Sequence, residues 1–250
     1  MKKILAFILA LVCVLALASC GGGSKPDTEK SEGVMYHADY IAAELESEVA
    51  IEAYIQAKAF NAQYGNINMF LQDADGGYYV YRMPCTADDD AKLKIGAKVK
   101  ITGFKTEWAG EVEIAEGSAA YTLLDGEYIA EAEDITAMLG TDNLIKKMNM
   151  KVAFKGLTVA PSTAADGSEA AFLYNWDGSG AAGSNSDLYF NVDYNGNVYT
   201  FTVESDECAE GSEVYTAVTA LKVGDKIDCE GFLYWYEGAQ LHVHGVSAAK

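Results

Sequence analysis

The sequence predicts an all-β chain with short helices, arranged as two tandem five-stranded barrels behind a signal segment and a flexible tether. Three observations lead there. A twelve-residue stretch occurs twice: Leu93-Lys94-Ile95-Gly96-Ala97-Lys98-Val99-Lys100-Ile101-Thr102-Gly103-Phe104 and, 128 positions later, Leu221-Lys222-Val223-Gly224-Asp225-Lys226-Ile227-Asp228-Cys229-Glu230-Gly231-Phe232. Leu, Lys, Gly, Lys, Gly and Phe coincide at six places, and Ile and Val exchange at two more. Each copy is a glycine turn, then alternating apolar residues, then a second glycine inside the strand, the pattern of a bent or bulged strand. The composition agrees: 24 Gly, 16 Tyr and only 3 Pro in 250 residues suit twisted, turn-rich sheets. The repeat offset divides the chain into two domains of about 100 residues each, a common domain size.

In the first unit, Asp39 followed by Tyr40, Ile41, Ala43, Glu44 and Leu45 predicts a capped helix of about two turns. Val49 to Ile55 alternates as a strand. Met69-Phe70-Leu71-Gln72, the turn Asp73-Ala74-Asp75-Gly76-Gly77 and Tyr78 to Arg82 form a hairpin. Asp88-Asp89-Asp90 reads as a solvated turn leading into the Leu93 strand. Trp108-Ala109-Gly110 turns into a fifth strand, Glu111 to Ile114. Five strands in this order suit a small closed barrel. Residues 48–115 also resemble the OB-fold modules of exported bacterial proteins, some attached to extracellular nucleases. Gln72-Asp73, Gly76-Gly77, Tyr81, Leu93, Gly96, Val99, Ile101 and Gly103 carry the resemblance. It implies an OB-like barrel and, through the nuclease-associated modules, nucleic acid as a ligand class.

The second unit repeats the first with rising offsets. At 103, Asp39 meets Asp142 and Val49 meets Val152; at 120, Asp73 meets Asp193, Tyr79 meets Tyr199 and Tyr81 meets Phe201. Asn195-Gly196 is a two-residue hairpin turn. The largest insertion, Pro161 to Ser186, falls between the first and second strands, one of two loops that flank the usual OB binding face. The expected domains are 36–135 and 136–250.

Met1-Lys2-Lys3 precedes an apolar run of 15 residues, Ile4 to Ala18, too short to span a bilayer comfortably. Leu17-Ala18-Ser19-Cys20 resembles the bacterial lipoprotein signal. The resemblance implies cleavage after residue 19, lipidation of Cys20, and anchorage on the extracytoplasmic face of a membrane, in the manner of a Gram-positive cell surface. Residues 20–35, polar and Gly-rich, read as the tether. Cys85, Cys208 and Cys229 then remain, either as one bridge, with Cys208–Cys229 favoured, plus a free thiol, or as three buried thiols. The net charge is −19, or −21 without Lys2 and Lys3, which argues against a nucleic-acid partner.

Aromatic residues at turns are the candidate ligand contacts: Trp108 in the first unit, and Tyr174, Trp176, Tyr234, Trp235 and Tyr236 in the second, able to stack on sugar rings or bases or to anchor a protein. Tyr79, Tyr81, Tyr199 and Phe201 read as barrel filling. His242 and His244 alternate on the last strand and share a face, without a third ligand that would make a metal site. Asn175 to Ser186 imitates a calcium loop but ends in Ser rather than Glu, and reads as a flexible polar loop. No nucleophile, zinc-protease or phosphate-loop motif occurs, so neither a catalytic residue nor a cofactor is expected. The function that follows is non-catalytic binding of a carbohydrate or protein, with nucleic-acid binding and a structural spacer as the alternatives.

Overall fold

The computed structural model describes residues 25–249; the signal segment and Cys20 lie outside them. The first unit runs through helix α1 (His37–Ala42), strands β1 (Glu48–Asn61), β2 (Asn66–Gln72) and β3 (Gly77–Pro84), helix α2 (Ala87–Lys92), and strands β4 (Ala97–Trp108), β5 (Glu111–Ile114) and β6 (Ala120–Glu127). The strands pair in the order β1-β2-β3-β5-β4, and β4 returns to β1, closing a five-stranded barrel to which β6 is added. The second unit comprises β7 (Glu133–Asp134), 3-10 turns at Thr136–Met138 and Leu144–Lys147, β8 (Lys151–Ala160), β9 (Ser162–Thr163), β10 (Glu169–Ala170), β11 (Leu173–Tyr174), β12 (Leu188–Tyr194), β13 (Asn197–Val203), α3 (Glu213–Thr219), β14 (Lys226–Trp235) and β15 (Ala239–Ala248). Its order β12-β13-β15-β14-β8 closes through β12–β8. Each barrel has one parallel pair, β3–β5 and β13–β15. The chain is therefore two tandem OB-like barrels, as the repeat predicts.

The repeated glycines explain why the repeat exists. Gly96 and Gly224 sit at φ +88° and +93°, a region open to Gly at no steric cost. Their amides donate to the first barrel strand in each unit, Gly96 N to Ile55 O at 2.7 Å and Gly224 N to Val159 O at 2.8 Å. Gly231 lies at a register shift between β14 and β15, where a Cβ would stand 1.9 Å from the His242 carbonyl oxygen. At Gly103 a Cβ would meet Ile114 Cγ2 at 2.6 Å. The two cores are separate: Ile51, Ile55, Leu71, Tyr78 and Val80 lie in the first, and Phe154, Phe190, Phe201 and Val203 in the second.

Six features differ from the sequence expectation. Asp39 does not cap α1 but lies inside it, the N-cap being Tyr36 with no side-chain bond. Asp88-Asp89-Asp90 is not a turn but the body of α2, with Thr86 and Asp89 closing a capping box; α3, capped by Ser212, occupies the same place in the second barrel. The buried pair Tyr78 and Val80 corresponds to Phe201 and Val203, an offset of 123 rather than 120. An odd shift exchanges the faces of a strand, so Tyr79 and Tyr81 point out of the barrel while Phe201 fills one. The tether expected over residues 20–35 is docked from Asp27 onward. There Met35 N donates to Ala50 O at 2.8 Å, and Lys30, which bonds Glu52 O at 2.8 Å, forms a buried ion pair with Asp73. Asp73 holds the β2–β3 turn by accepting from the Asp75 and Gly76 amides, and a buried carboxylate of this kind needs a cation. Finally, Cys85, Cys208 and Cys229 are all free thiols; the favoured Cys208–Cys229 bridge is not formed. Residues 133–135 join the second unit, β7 pairing with β8.

The barrels dock through a third apolar cluster, built on Phe70 and Tyr79 from the first and Phe232 from the second. Phe70 stacks on Phe232 with centroids 4.7 Å apart. Glu111, fully buried, crosses the junction: Oε1 accepts from Asn149 Nδ2 at 2.6 Å and Oε2 from the Trp235 amide at 2.8 Å. Gln72 Oε1 accepts from Lys151 N at 2.7 Å. Gly77 passes so near Asn149 that a Cβ would lie 2.3 Å from its carbonyl carbon.

Candidate functional site

Docking turns the outward faces of β3 and β13–β15 toward each other, and a cleft of about 1130 Å³ opens between the barrels. The first barrel contributes Tyr64, Tyr79 and Tyr81; the second contributes Trp176, Tyr189, Tyr199, Tyr234 and Tyr236. Between these rings lie amide and hydroxyl side chains, among them Asn61, Asn68, Asn191, Gln240 and Thr200. The cleft exceeds the usual volume for a single small ligand. Trp176 stands 75 % exposed at its mouth, while Tyr79 at the floor is buried, its ring 5.5 Å from that of Tyr234 in an edge contact.

The floor continues into a polar network of the second barrel. Glu207 receives two imidazoles on one carboxylate, His242 Nδ1 at 3.1 Å and His244 Nε2 at 3.0 Å. His242 also lies against Tyr234, with centroids 4.5 Å apart, and against Phe70 of the first barrel at 5.5 Å. Burial alone would raise Glu207, but the two histidines outweigh it and hold it down to about 2. Burial would lower His244, yet the Cys208 and Glu207 partners raise it to about 9; His242 is raised as well, chiefly by Glu207 against its burial. Glu204, on the cleft wall, accepts from Thr202 Oγ1 at 3.2 Å and is pushed up to about 7 by burial and by Asp187 and Glu207. No cluster of three or more His, Cys, Asp and Glu placed to hold a metal occurs among the described residues.

The cleft gathers Trp176, Tyr234 and Tyr236 from the six aromatic residues singled out in the sequence, and leaves the other three elsewhere. Trp108 is 62 % exposed but does not line the cleft. Trp235 faces the opposite side of its strand, packing on Gly110, where an added Cβ would lie 2.7 Å from its Cδ1. Tyr174 packs into the second core beside Phe172. Sequence reasoning missed Tyr64, Glu204, Asp206 and the partnership of Glu207 with both histidines. Strand alternation does place His242 and His244 on one face; their partner lies in the loop after β13, 35 residues away, beyond any local pattern.

No family model matches the chain, and no curated protein matches it. Among solved structures it is similar to a murine DNA-binding protein bound with double-stranded DNA, at 12% identity and a TM-score of 0.38, covering 80% of this chain and 98% of that one. It is also similar to the Ifi202 HINa domain in complex with double-stranded DNA, at 12% identity and a TM-score of 0.33, covering 82% and 100%. A replication protein A heterotrimer bound to single-stranded DNA follows at 11% and 0.29, covering 81% and 49%.

Proposed function

We propose that the chain is a non-catalytic binding module whose site is the inter-barrel cleft, and that its ligand is a glycan. The observation that carries the reading is the lining itself: eight aromatic rings from both barrels, interleaved with amides and hydroxyls, and a single Lys or Arg, Arg82. Flat rings stack on sugar faces, and amide and hydroxyl groups exchange hydrogen bonds with sugar hydroxyls, so specificity needs no fixed charge. A nucleic-acid groove, by contrast, tracks phosphates with a row of cations; here Arg82 pairs with Glu116 at 3.4 Å, and Glu204 and Asp206 share the wall. The module is proposed to be held to the outer face of a membrane by lipid on Cys20; substituting Cys20→Ala should release it into the medium.

Tryptophan-fluorescence titration of the purified chain with neutral oligosaccharides tests the reading. Saturable binding, weakened about tenfold by Trp176→Ala, supports it. Double-stranded DNA, which two of the similar proteins carry, enters the same titration as the rival ligand. Saturation by DNA alone, with affinity falling steeply as salt rises, replaces the glycan by nucleic acid.

A further inference from the structure

We infer that the cleft selects glycans bearing free amino groups, such as de-N-acetylated amino sugars, over neutral and acidic ones. This rests on the glycan reading above and adds the charge of the ligand. The cleft wall carries two carboxylates, Glu204 and Asp206. The positive groups near them are already engaged. His242 and His244 both bond Glu207. Arg82 pairs with Glu116 and lies over the Tyr81 ring at 4.8 Å. Asp206 thus faces the cleft with no salt bridge among the described residues, and Glu204 meets only the charge of His242, whose hydrogen bond Glu207 already holds.

The aromatic rings feel the same imbalance. Tyr79, Tyr189 and Tyr234 have their hydroxyls held protonated well above the ordinary range, by burial first and then by carboxylates. Those carboxylates come from both barrels: Glu111 and Glu113 from β5, Glu204 and Glu207 from the loop after β13, and Asp187 before β12. A ring face is itself electron-rich and attracts cations, most strongly when partly desolvated. Tyrosine rings beside an excess of carboxylate over cation therefore suit a ligand that is flat, hydroxylated and positively charged. An acidic sugar would meet repulsion from the same groups, and a neutral one would gain the stacking alone.

The test compares glucosamine, N-acetylglucosamine, glucose and uronic-acid oligosaccharides of equal length against the full chain, at low and moderate salt. At low salt, the glucosamine oligomer should bind about tenfold tighter than the N-acetylated one, and added salt should narrow that gap. The variant Glu204→Gln/Asp206→Asn should bring the two affinities to parity. Equal affinities in the parent chain, or a preference that survives both substitutions and salt, would overturn the inference while leaving the glycan site in place. If no oligosaccharide binds, the glycan reading itself fails and the inference falls with it. The salt comparison on the parent chain decides the matter should the double variant not fold.

Discussion

The β4–β5 turn of the first barrel is Trp108-Ala109-Gly110, and the β14–β15 turn of the second, 128 positions on, is Tyr236-Glu237-Gly238. Ala109 and Glu237 adopt the same left-handed conformation, at φ +52° and +53°. The tips dock on each other: Glu237 N donates to Ala109 O at 2.8 Å, and Trp235 covers Gly110. Because a strand alternates its faces, the residue beside each tip must go one way or the other. Tyr236 enters the cleft and Trp108 does not. The two tips share a left-handed turn residue but differ by one residue in length, Trp108 pairing with Glu111 and Trp235 with Ala239. The same holds deeper in the barrels. The pairing sets Ile114, opposite Lys105 and buried in the first core, against Leu241, opposite Leu233 and buried in the second, so His242 and His244 occupy the outward face of the matching strand. The second barrel keeps its apolar core at Leu241 and Val243 and builds its network of Glu207, His242 and His244 on the outward face of β15, next to the cleft.

Substitutions at the paired glycines give the largest expected contrast. Gly231→Ala drives a Cβ into backbone, the His242 carbonyl, and should destabilise by about 3 kcal/mol. Gly103→Ala meets chiefly the Ile114 side chain, which can turn aside, and should cost about 1 kcal/mol. Urea unfolding of both variants checks this; equal losses would mean that the two glycines do the same job. Next comes Glu207→Gln. His244 is raised from 6.5 to about 9, so its contribution is complete below pH 6.5 and is lost as pH rises through 9. Glu207 is lowered from 4.5 to about 2, so its contribution is complete above pH 4.5 and is lost as pH falls toward 2. Between 4.5 and 6.5 both contributions are present, so the variant should lose the most stability there and progressively less toward pH 10. A loss independent of pH would show that the imidazoles are neutral.

A smaller effect is expected at the junction. Glu111 is raised well above its ordinary value by burial, so as pH rises from 4.5 the folded state progressively loses stability to this group. Asn149 Oδ1 is buried without a partner while Nδ2 donates to Glu111 Oε1; in Glu111→Gln the carbonyl keeps the Trp235 bond and the new amide finds an acceptor once Asn149 turns its amide over and presents Oδ1 in place of Nδ2. Above pH 7 the variant should be more stable than the parent by about 1 kcal/mol, with the difference vanishing in acid. Thermal unfolding across pH measures it, and a variant less stable at every pH would mean that Glu111 is ionised when the protein folds.

What the sequence made legible is what a single chain segment determines by itself. Gly96 and Gly224 are set by their own φ angle, and Gly103 and Gly231 by contacts within one barrel, so the repeat betrays the scaffold. Face assignment in the middle hairpin was lost because the β12–β13 hairpin changes the spacing by an odd number, which strand alternation cannot detect without the register. Helices α2 and α3 announced themselves only through Thr86, Asp89 and Ser212, small signals beside an acidic run. The cleft was legible in part. Trp176, Tyr234 and Tyr236 lie at turns or strand ends, where exposure can be read, whereas Tyr79 and Tyr81 became cleft residues only because a second barrel stands opposite them. Glu207 found its histidines across the fold, not along it.

The smallest effect returns to the hairpin tips. If ligand occupies the cleft, Tyr236→Ala removes one stacking face and should weaken binding by about 1 kcal/mol, or roughly fivefold. Trp108→Ala removes a larger and more exposed ring at the equivalent place and should leave the affinity unchanged, because that ring does not face the cleft. Isothermal titration of the two variants against the same oligosaccharide separates position from chemistry. Equal losses would mean that the ligand runs over both tips, so that the binding face is a surface across the two barrels rather than the cleft between them. A loss at Trp108 alone would move the site to the first barrel and leave the inter-barrel aromatic rings as packing.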